Sequence, residues 1–214
     1  MKNKWDLYLI TEEKLSAGRS TLEVVKKAIR AGVDAVQLRD KNLNLRERYL
    51  LGREIRKITQ RAEVDFIVND RVDLAAALDA DGVHLGQDDL PCSEARRILG
   101  AEKIIGITAI NPKDIIKAEQ DGANYLGIGS VYKTNSKIVA AEKDGIGLEG
   151  IKKVKKITSL PLIAVGGLNS SNAAEVIKAG ADTVSVISAV AEADNIQARV
   201  KILKEIISQA KMKN

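Results

Sequence analysis

The chain has 214 residues, 45% of them apolar, which is enough for one sizeable core and short enough to predict a single domain over 1–214. Its formal net charge of +5 suits nucleic acid or a small anion, but the lysines are spread along helical stretches and aromatic residues make up only 3%, too few for base-stacking platforms. No apolar run approaches the ~20 residues that span a bilayer, the start lacks a secretory apolar region, and the one cysteine, Cys92, excludes an internal disulfide, so a cytoplasmic protein bound to neither nucleic acid nor membrane is expected.

Along the chain, short apolar runs of strand length alternate with amphipathic helical stretches. "WDLYLIT" (5–11) is followed by "TLEVVKKAIRAG", "AVQLRD" (35–40) by "NLRERYLLGREIRKITQ", "DFIVND" (65–70) by "RVDLAAALDA", and "GVHLG" (82–86) by "CSEARRILG". In the second half "IIGIT" (104–108) precedes "PKDIIKAEQDG", "YLGIGS" (125–130) precedes "LEGIKKVKKITS", "PLIAVGG" (161–167) precedes "SSNAAEVIKAG", and "TVSVIS" (183–188) precedes "NIQARVKILKEIISQAK". Eight such units predict an α/β protein, a (β/α)₈ TIM barrel in one domain. A doubly wound open sheet ranks lower, because no G-x-G-x-x-G follows the first strand. One connection is long and aperiodic, Val131 to Gly147, and following the sixth strand it should overhang the mouth where such barrels work.

Strand alternation sorts the side chains, since outward residues must be apolar to pack under helices. Val36 and Leu38, Phe66 and Val68, and Val83 and Leu85 then face out, while Gln37, Arg39, Asn69 and His84 point in, with Asp70 at a strand end. Gln37, Arg39 and Lys41 bring an amide and two cations to one strand end, a set suited to a phosphate or diphosphate; a salt-bridge set with Asp40 and Glu47 is the alternative use of Lys41. Asp70, Asp88 and Asp89 close two neighbouring strands. Such carboxylates, completed by water and phosphate oxygens, hold Mg²⁺. Helix capping is the competing reading for all three and the favoured one for Asp88.

After the last two strands, the glycine pair Gly166 and Gly167 and the run around Ile187 and Ser188 match the usual phosphate site of a barrel, with tight turns as the plainer explanation. "KTNSK", Lys133 to Lys137, offers hydroxyls, an amide and cations over the mouth, or is a solvated loop. Cys92, near a helix start, reads as a buried inert thiol.

The segments "VQLRDK", "VNDRVDLA", "DGVHLGQDDL", "GANYLGIGSVYKTNSK", "AVGGLNSSNAAEVIKAGAD" and "VSVISAV" resemble, in order and over nearly the whole chain, the thiamine-phosphate synthase family. The resemblance implies a transferase that joins a hydroxymethylpyrimidine diphosphate to a thiazole phosphate, releasing diphosphate. It implies that the run Gln37, Leu38, Arg39, Asp40 and Lys41, with Asn69 and Thr108, binds the pyrimidine diphosphate, and that Asp70 and Asp89 hold Mg²⁺. By the same resemblance Thr134, Asn135 and Ser136 contact the thiazole phosphate, Lys137 the diphosphate, and Gly167, Ile187 and Ser188 complete the thiazole phosphate cradle. Catalysis would rest on leaving-group stabilisation by the metal, Arg39, Lys41 and Lys137, with Thr108 where the family usually has serine; His84 then has no proton to move and is a positioning or packing residue. Lys133, often proline in the family, and Ile138 and Val139, where polar residues are common, depart from the pattern. The expected partners are the two small-molecule substrates, and a homo-oligomer is compatible with the class. The competing readings are a thiazole tautomerase relative, which would not need the "VND" and "GQDD" carboxylates, and a non-catalytic phosphate-binding barrel.

Overall fold

The computed structural model describes residues 5–133 and 145–212. All eight apolar runs form strands: β1 (Leu7–Ile10), β2 (Ala35–Leu38), β3 (Asp65–Asn69), β4 (Gly82–Leu85), β5 (Ile104–Thr108), β6 (Tyr125–Ile128), β7 (Leu162–Ala164) and β8 (Thr183–Val186). Consecutive strands pair in parallel and β8 pairs back onto β1, which closes the barrel. Most strands are shorter than the apolar runs that mark them, because the last residues of several runs leave the ladder to line the mouth.

The connecting helices are α1 (Thr21–Arg30), α2 (Leu45–Ala62), α3 (Val72–Ala77), α4 (Cys92–Leu99), α5 (Pro112–Gln120), α6 (Gly147–Lys155), α7 (Ala173–Lys178), α8 (Ser188–Ala191) and α9 (Ile196–Met212). The four-residue α8 and a 3₁₀ turn at Glu13–Leu15 were not foreseen, since neither is long enough to display a helical period. Local chemistry sets several starts: Asn44 and Glu47 form a reciprocal capping box on α2, and Asn111 caps α5 ahead of Pro112. None of the described helices is long and apolar enough to cross a membrane.

The outward alternation holds. Val36, Leu38, Phe66, Val68, Val83 and Leu85 all lie in the apolar layer between strands and helices, where burying each side chain is worth about 1.5–3 kcal/mol. A second cluster of Trp5, Tyr8, Ala35, Ile67, Ile104, Tyr125 and Ile163 fills the lower barrel. Trp5 packs on Tyr8 and Tyr125 with ring centroids 5.2 and 5.5 Å apart, and its indole donates to Asp65 Oδ2 at 2.8 Å. This plug closes one end and leaves the other open.

Candidate active site

Above the plug, at the C-terminal ends of the strands, lies a cavity of about 1020 Å³. Its first wall is the end of β2. Arg39 Nη1 donates to Glu12 Oε2 at 2.6 Å, and Asn42 Nδ2 holds the other oxygen of that carboxylate at 2.9 Å. Glu12, just past β1, therefore fixes the guanidinium at the cavity edge. Sequence reasoning missed it, although it ends the "LITE" run on the neighbouring strand.

Lys41 pairs with Asp70 Oδ2 at 2.7 Å, not with Asp40 or Glu47, because Glu47 belongs to the α2 cap and Asp40 is engaged below. In two members of the expected binding run the side chain turns away from the cavity. Leu38 packs outward against Gly52 of α2. The Asp40 carboxylate is buried, accepting from Thr11, from Thr21 Oγ1 at 2.9 Å and from the Glu13 amide at 2.8 Å. Neither side chain lines the cavity, so a ligand would meet only their main chain.

The second wall carries the carboxylates. Asp70 has φ 62°, a left-handed conformation uncommon for a residue with a side chain, and its amide donates to the His84 carbonyl at 2.9 Å. Asp89 folds back so that Oδ2 accepts from the Gly86 amide at 2.6 Å. The capping readings fail. α3 is preceded by Arg71 and α4 by Pro91, and no side chain caps either helix, so Asp70, Asp88 and Asp89 keep their carboxylates for the mouth, where all three line the cavity. Burial raises the Asp89 carboxyl above its usual range against the opposing Gly86 amide, and the Asp70 charge and hydrogen bond raise it further. Among the described residues no group of three or more His, Cys, Asp or Glu side chains is gathered as a metal cage; two carboxylates face each other, with the Lys41 ammonium on one of them.

The floor is a chain of hydrogen bonds. Gln37 Nε2 donates to Tyr8 Oη at 2.7 Å, the Tyr8 and Tyr125 hydroxyls lie 3.3 Å apart, Tyr125 Oη is 3.0 Å from His84 Nδ1, and His84 Nε2 is 2.9 Å from Thr108 Oγ1. Burial pushes both phenols above the ordinary tyrosine value, so each keeps its proton. With Gln37 donating, the row runs from Gln37 to Tyr8, Tyr8 to Tyr125, Tyr125 to Nδ1, and Nε2–H to Thr108, which leaves the Thr108 hydroxyl proton free for the cavity. His84 is stacked on Tyr125 with centroids 5.5 Å apart, and both its ring nitrogens are engaged in the row. Asn69, also inward, lines the same cavity.

The far wall is made by the turns after β7 and β8. Gly166 and Gly167 have φ of 98° and 67°, and a Cβ on them would stand 2.2 Å from Ser130 Oγ and 2.8 Å from Tyr132 Cβ, so glycine lets the β7 turn lie against the β6 turn. Ile187 and Ser188 open α8 at the rim, where first-turn amides have no intrahelical acceptor. The long connection after β6 is pinned at both ends: the Ile146 amide donates to the Ser130 carbonyl at 2.9 Å and that of Gly147 to Val131 at 3.0 Å. Lys133 lines the cavity, while Thr134, Asn135, Ser136 and Lys137, with Ile138 and Val139, lie outside the described residues. Cys92 is buried away from the mouth, and burial, with Asp121 nearby, pushes its thiol up to about 11.

Fold and cavity together define a (β/α)₈ barrel with its cavity at the C-terminal mouth, the end at which enzymes of this fold carry their active sites. Residues 7–190 match the family model described as thiamine monophosphate synthase. A thiamine-phosphate synthase of Natronomonas pharaonis is 50% identical over 207 residues, 97% of each chain, and that of Moorella thermoacetica is 48% identical over 98% of this chain and 99% of its own. A solved thiamine phosphate pyrophosphorylase from Pyrococcus furiosus superposes with a TM-score of 0.88 at 39% identity, covering 98% of both chains. The chain belongs to the thiamine monophosphate synthase family, and as an enzyme of that family it is a transferase.

Proposed function

We propose that this enzyme condenses a hydroxymethylpyrimidine diphosphate with a thiazole phosphate to give thiamine phosphate and diphosphate, with Mg²⁺ as cofactor. The observation that carries the reading is that Arg39, held by Glu12, and Lys41, paired with Asp70, share one side of the cavity with the facing carboxylates Asp70 and Asp89, opposite the glycine-built turns. The donor set fits the metal, because Mg²⁺ is commonly held by one or two carboxylates, with water and substrate phosphates completing its shell. Lys41 on Asp70 marks where positive charge is already stabilised. Asp70 and Asp89 would hold the ion, which when bound supplies charge neutralisation for a departing diphosphate.

The chain's own groups account for the rest. In the reaction the C–O bond to diphosphate breaks with its electron pair leaving on oxygen, and the thiazole nitrogen lone pair forms the new C–N bond. No proton is transferred, which suits a floor whose histidine is held between Tyr125 and Thr108. Arg39, anchored by Glu12, and Lys41 stabilise the leaving anion, with Lys137 as a further proposed cation. Gln37, Asn69 and Thr108 orient the pyrimidine, while Gly167, Ile187 and Ser188, with Thr134, Asn135 and Ser136, hold the thiazole phosphate and set its nitrogen in line. The test is incubation of the purified protein with both substrates, with and without Mg²⁺. Thiamine phosphate is expected only when all three are present; well-folded protein that makes none refutes the reading.

A further inference from the structure

The deep part of the cavity holds a polar group that the hydrogen-bonded floor does not use. Ser185 lies within β8 and pairs in register with Tyr8 of β1. Its neighbours Val184 and Val186 belong to the outer apolar layer, so strand alternation turns Ser185 into the barrel, where it lines the cavity with Tyr8, Gln37 and His84. Only 2% of the residue is exposed, and its Oγ has no hydrogen-bond partner among the described residues. A buried hydroxyl left without a partner is destabilising, whereas alanine at the same place would carry no such penalty. The contrast within the strand is direct: Thr183, two residues earlier on the same face, donates its hydroxyl to the Trp5 carbonyl at 2.9 Å.

We propose that Ser185 is a substrate-contact residue whose hydroxyl meets the nitrogen-bearing edge of the pyrimidine ring. This rests on the functional reading above. The thiazole has a single nitrogen, and that atom forms the new bond, so it is not available to a serine. An aminopyrimidine has ring nitrogens that accept and an amino group that donates, and a hydroxyl serves either. Location agrees, since Ser185 stands beside Tyr8, which receives the amide of Gln37, a residue already assigned to the pyrimidine substrate.

The test is Ser185→Ala, with binding of the pyrimidine diphosphate and of inorganic diphosphate measured calorimetrically in the presence of Mg²⁺, the KM for thiazole phosphate, and the melting temperature without ligand. The expected result is affinity for the pyrimidine diphosphate about ten-fold weaker, the order of one hydrogen bond. Affinity for inorganic diphosphate and the thiazole KM should stay unchanged, and the ligand-free protein should melt no lower than wild type. Unchanged pyrimidine affinity, a defect confined to thiazole phosphate, a parallel loss for inorganic diphosphate, or a lower ligand-free melting temperature would each overturn the assignment. Failure of the functional reading is distinguishable, because it would appear in the wild-type protein as no binding of the pyrimidine diphosphate at all.

Discussion

Gly127→Ala tests whether the floor positions the mouth. Gly127 is in β6 and faces the imidazole across the barrel: a Cβ there would stand 2.7 Å from His84 Cε1 and 3.1 Å from Nε2. The ring must move by about 0.8 Å to regain a carbon–carbon separation near 3.5 Å, and it is stacked on Tyr125. A shift of that size breaks at least one of the bonds to Thr108 and Tyr125, now 2.9 and 3.0 Å. One lost buried hydrogen bond and the strain of an added methyl together cost about 2–4 kcal/mol, which lowers the melting temperature by about 5–15 °C for a chain of this size. Turnover should fall about ten-fold with it, because Thr108 loses its orienting partner. The assay is thermal denaturation followed by circular dichroism, alongside product formation. Introducing His84→Ala into the Gly127→Ala background removes the clash, so the double variant should be more stable than the sum of the single effects. A Gly127→Ala protein that melts within a degree of wild type, or strict additivity in the pair, refutes the reasoning.

Asp89→Asn should lower turnover about 100-fold or more, the scale of losing a main electrostatic group, without loss of the fold. Because burial raises the Asp89 carboxyl above its value in the unfolded chain, the ionised form destabilises the ligand-free fold at neutral pH; that destabilisation is relieved as pH falls through the raised value, and Asp89→Asn should melt no lower than wild type at neutral pH. Metal binding needs the carboxylate, so the Mg²⁺ concentration for half activity should rise as pH drops toward that value, and a flat response in a metal titration at several pH values would count against the assignment. Glu12→Gln weakens the hold on Arg39 and should raise the KM for the pyrimidine diphosphate by about ten-fold, measured by steady-state kinetics, with the KM for thiazole phosphate unchanged. Native Cys92 should react with iodoacetamide at least ~100-fold more slowly than a free thiol, from burial and a pKa near 11; fast labelling of folded protein would contradict its placement.

How far the molecule could be read from its sequence depended on whether a residue's role was local. Strand parity worked because an outward position in a barrel has one physical requirement, apolarity, which is visible at Val36, Phe66 and Val83 and which left Gln37, Asn69 and His84 facing inward. It also argued against a contact by the Leu38 side chain, which entered the binding set only through the family run and which the structure turns under α2. The roles that escaped join distant segments: Glu12 reaches Arg39 from the neighbouring strand, Asp40 ties its own loop to Thr11 and Thr21, and Tyr8 meets Tyr125 across the barrel. Asp89 lies close enough to α4 to suggest a cap, yet its carboxylate turns back to the Gly86 amide three residues earlier, a choice that spacing alone does not decide. Ser185 alternates with valines like any inward strand residue, and only the absence of a partner among the described residues sets it apart.

The central claim, that the mouth of this barrel stabilises a departing diphosphate with a metal held by Asp70 and Asp89, is tested most directly by coupled diphosphate release under Mg²⁺ titration, for wild type and Asp70→Asn. The account predicts release that saturates with Mg²⁺, matches thiamine phosphate one for one, and requires a much higher metal concentration in the variant. Release that is independent of Mg²⁺, or a variant with the wild-type metal requirement, would contradict it.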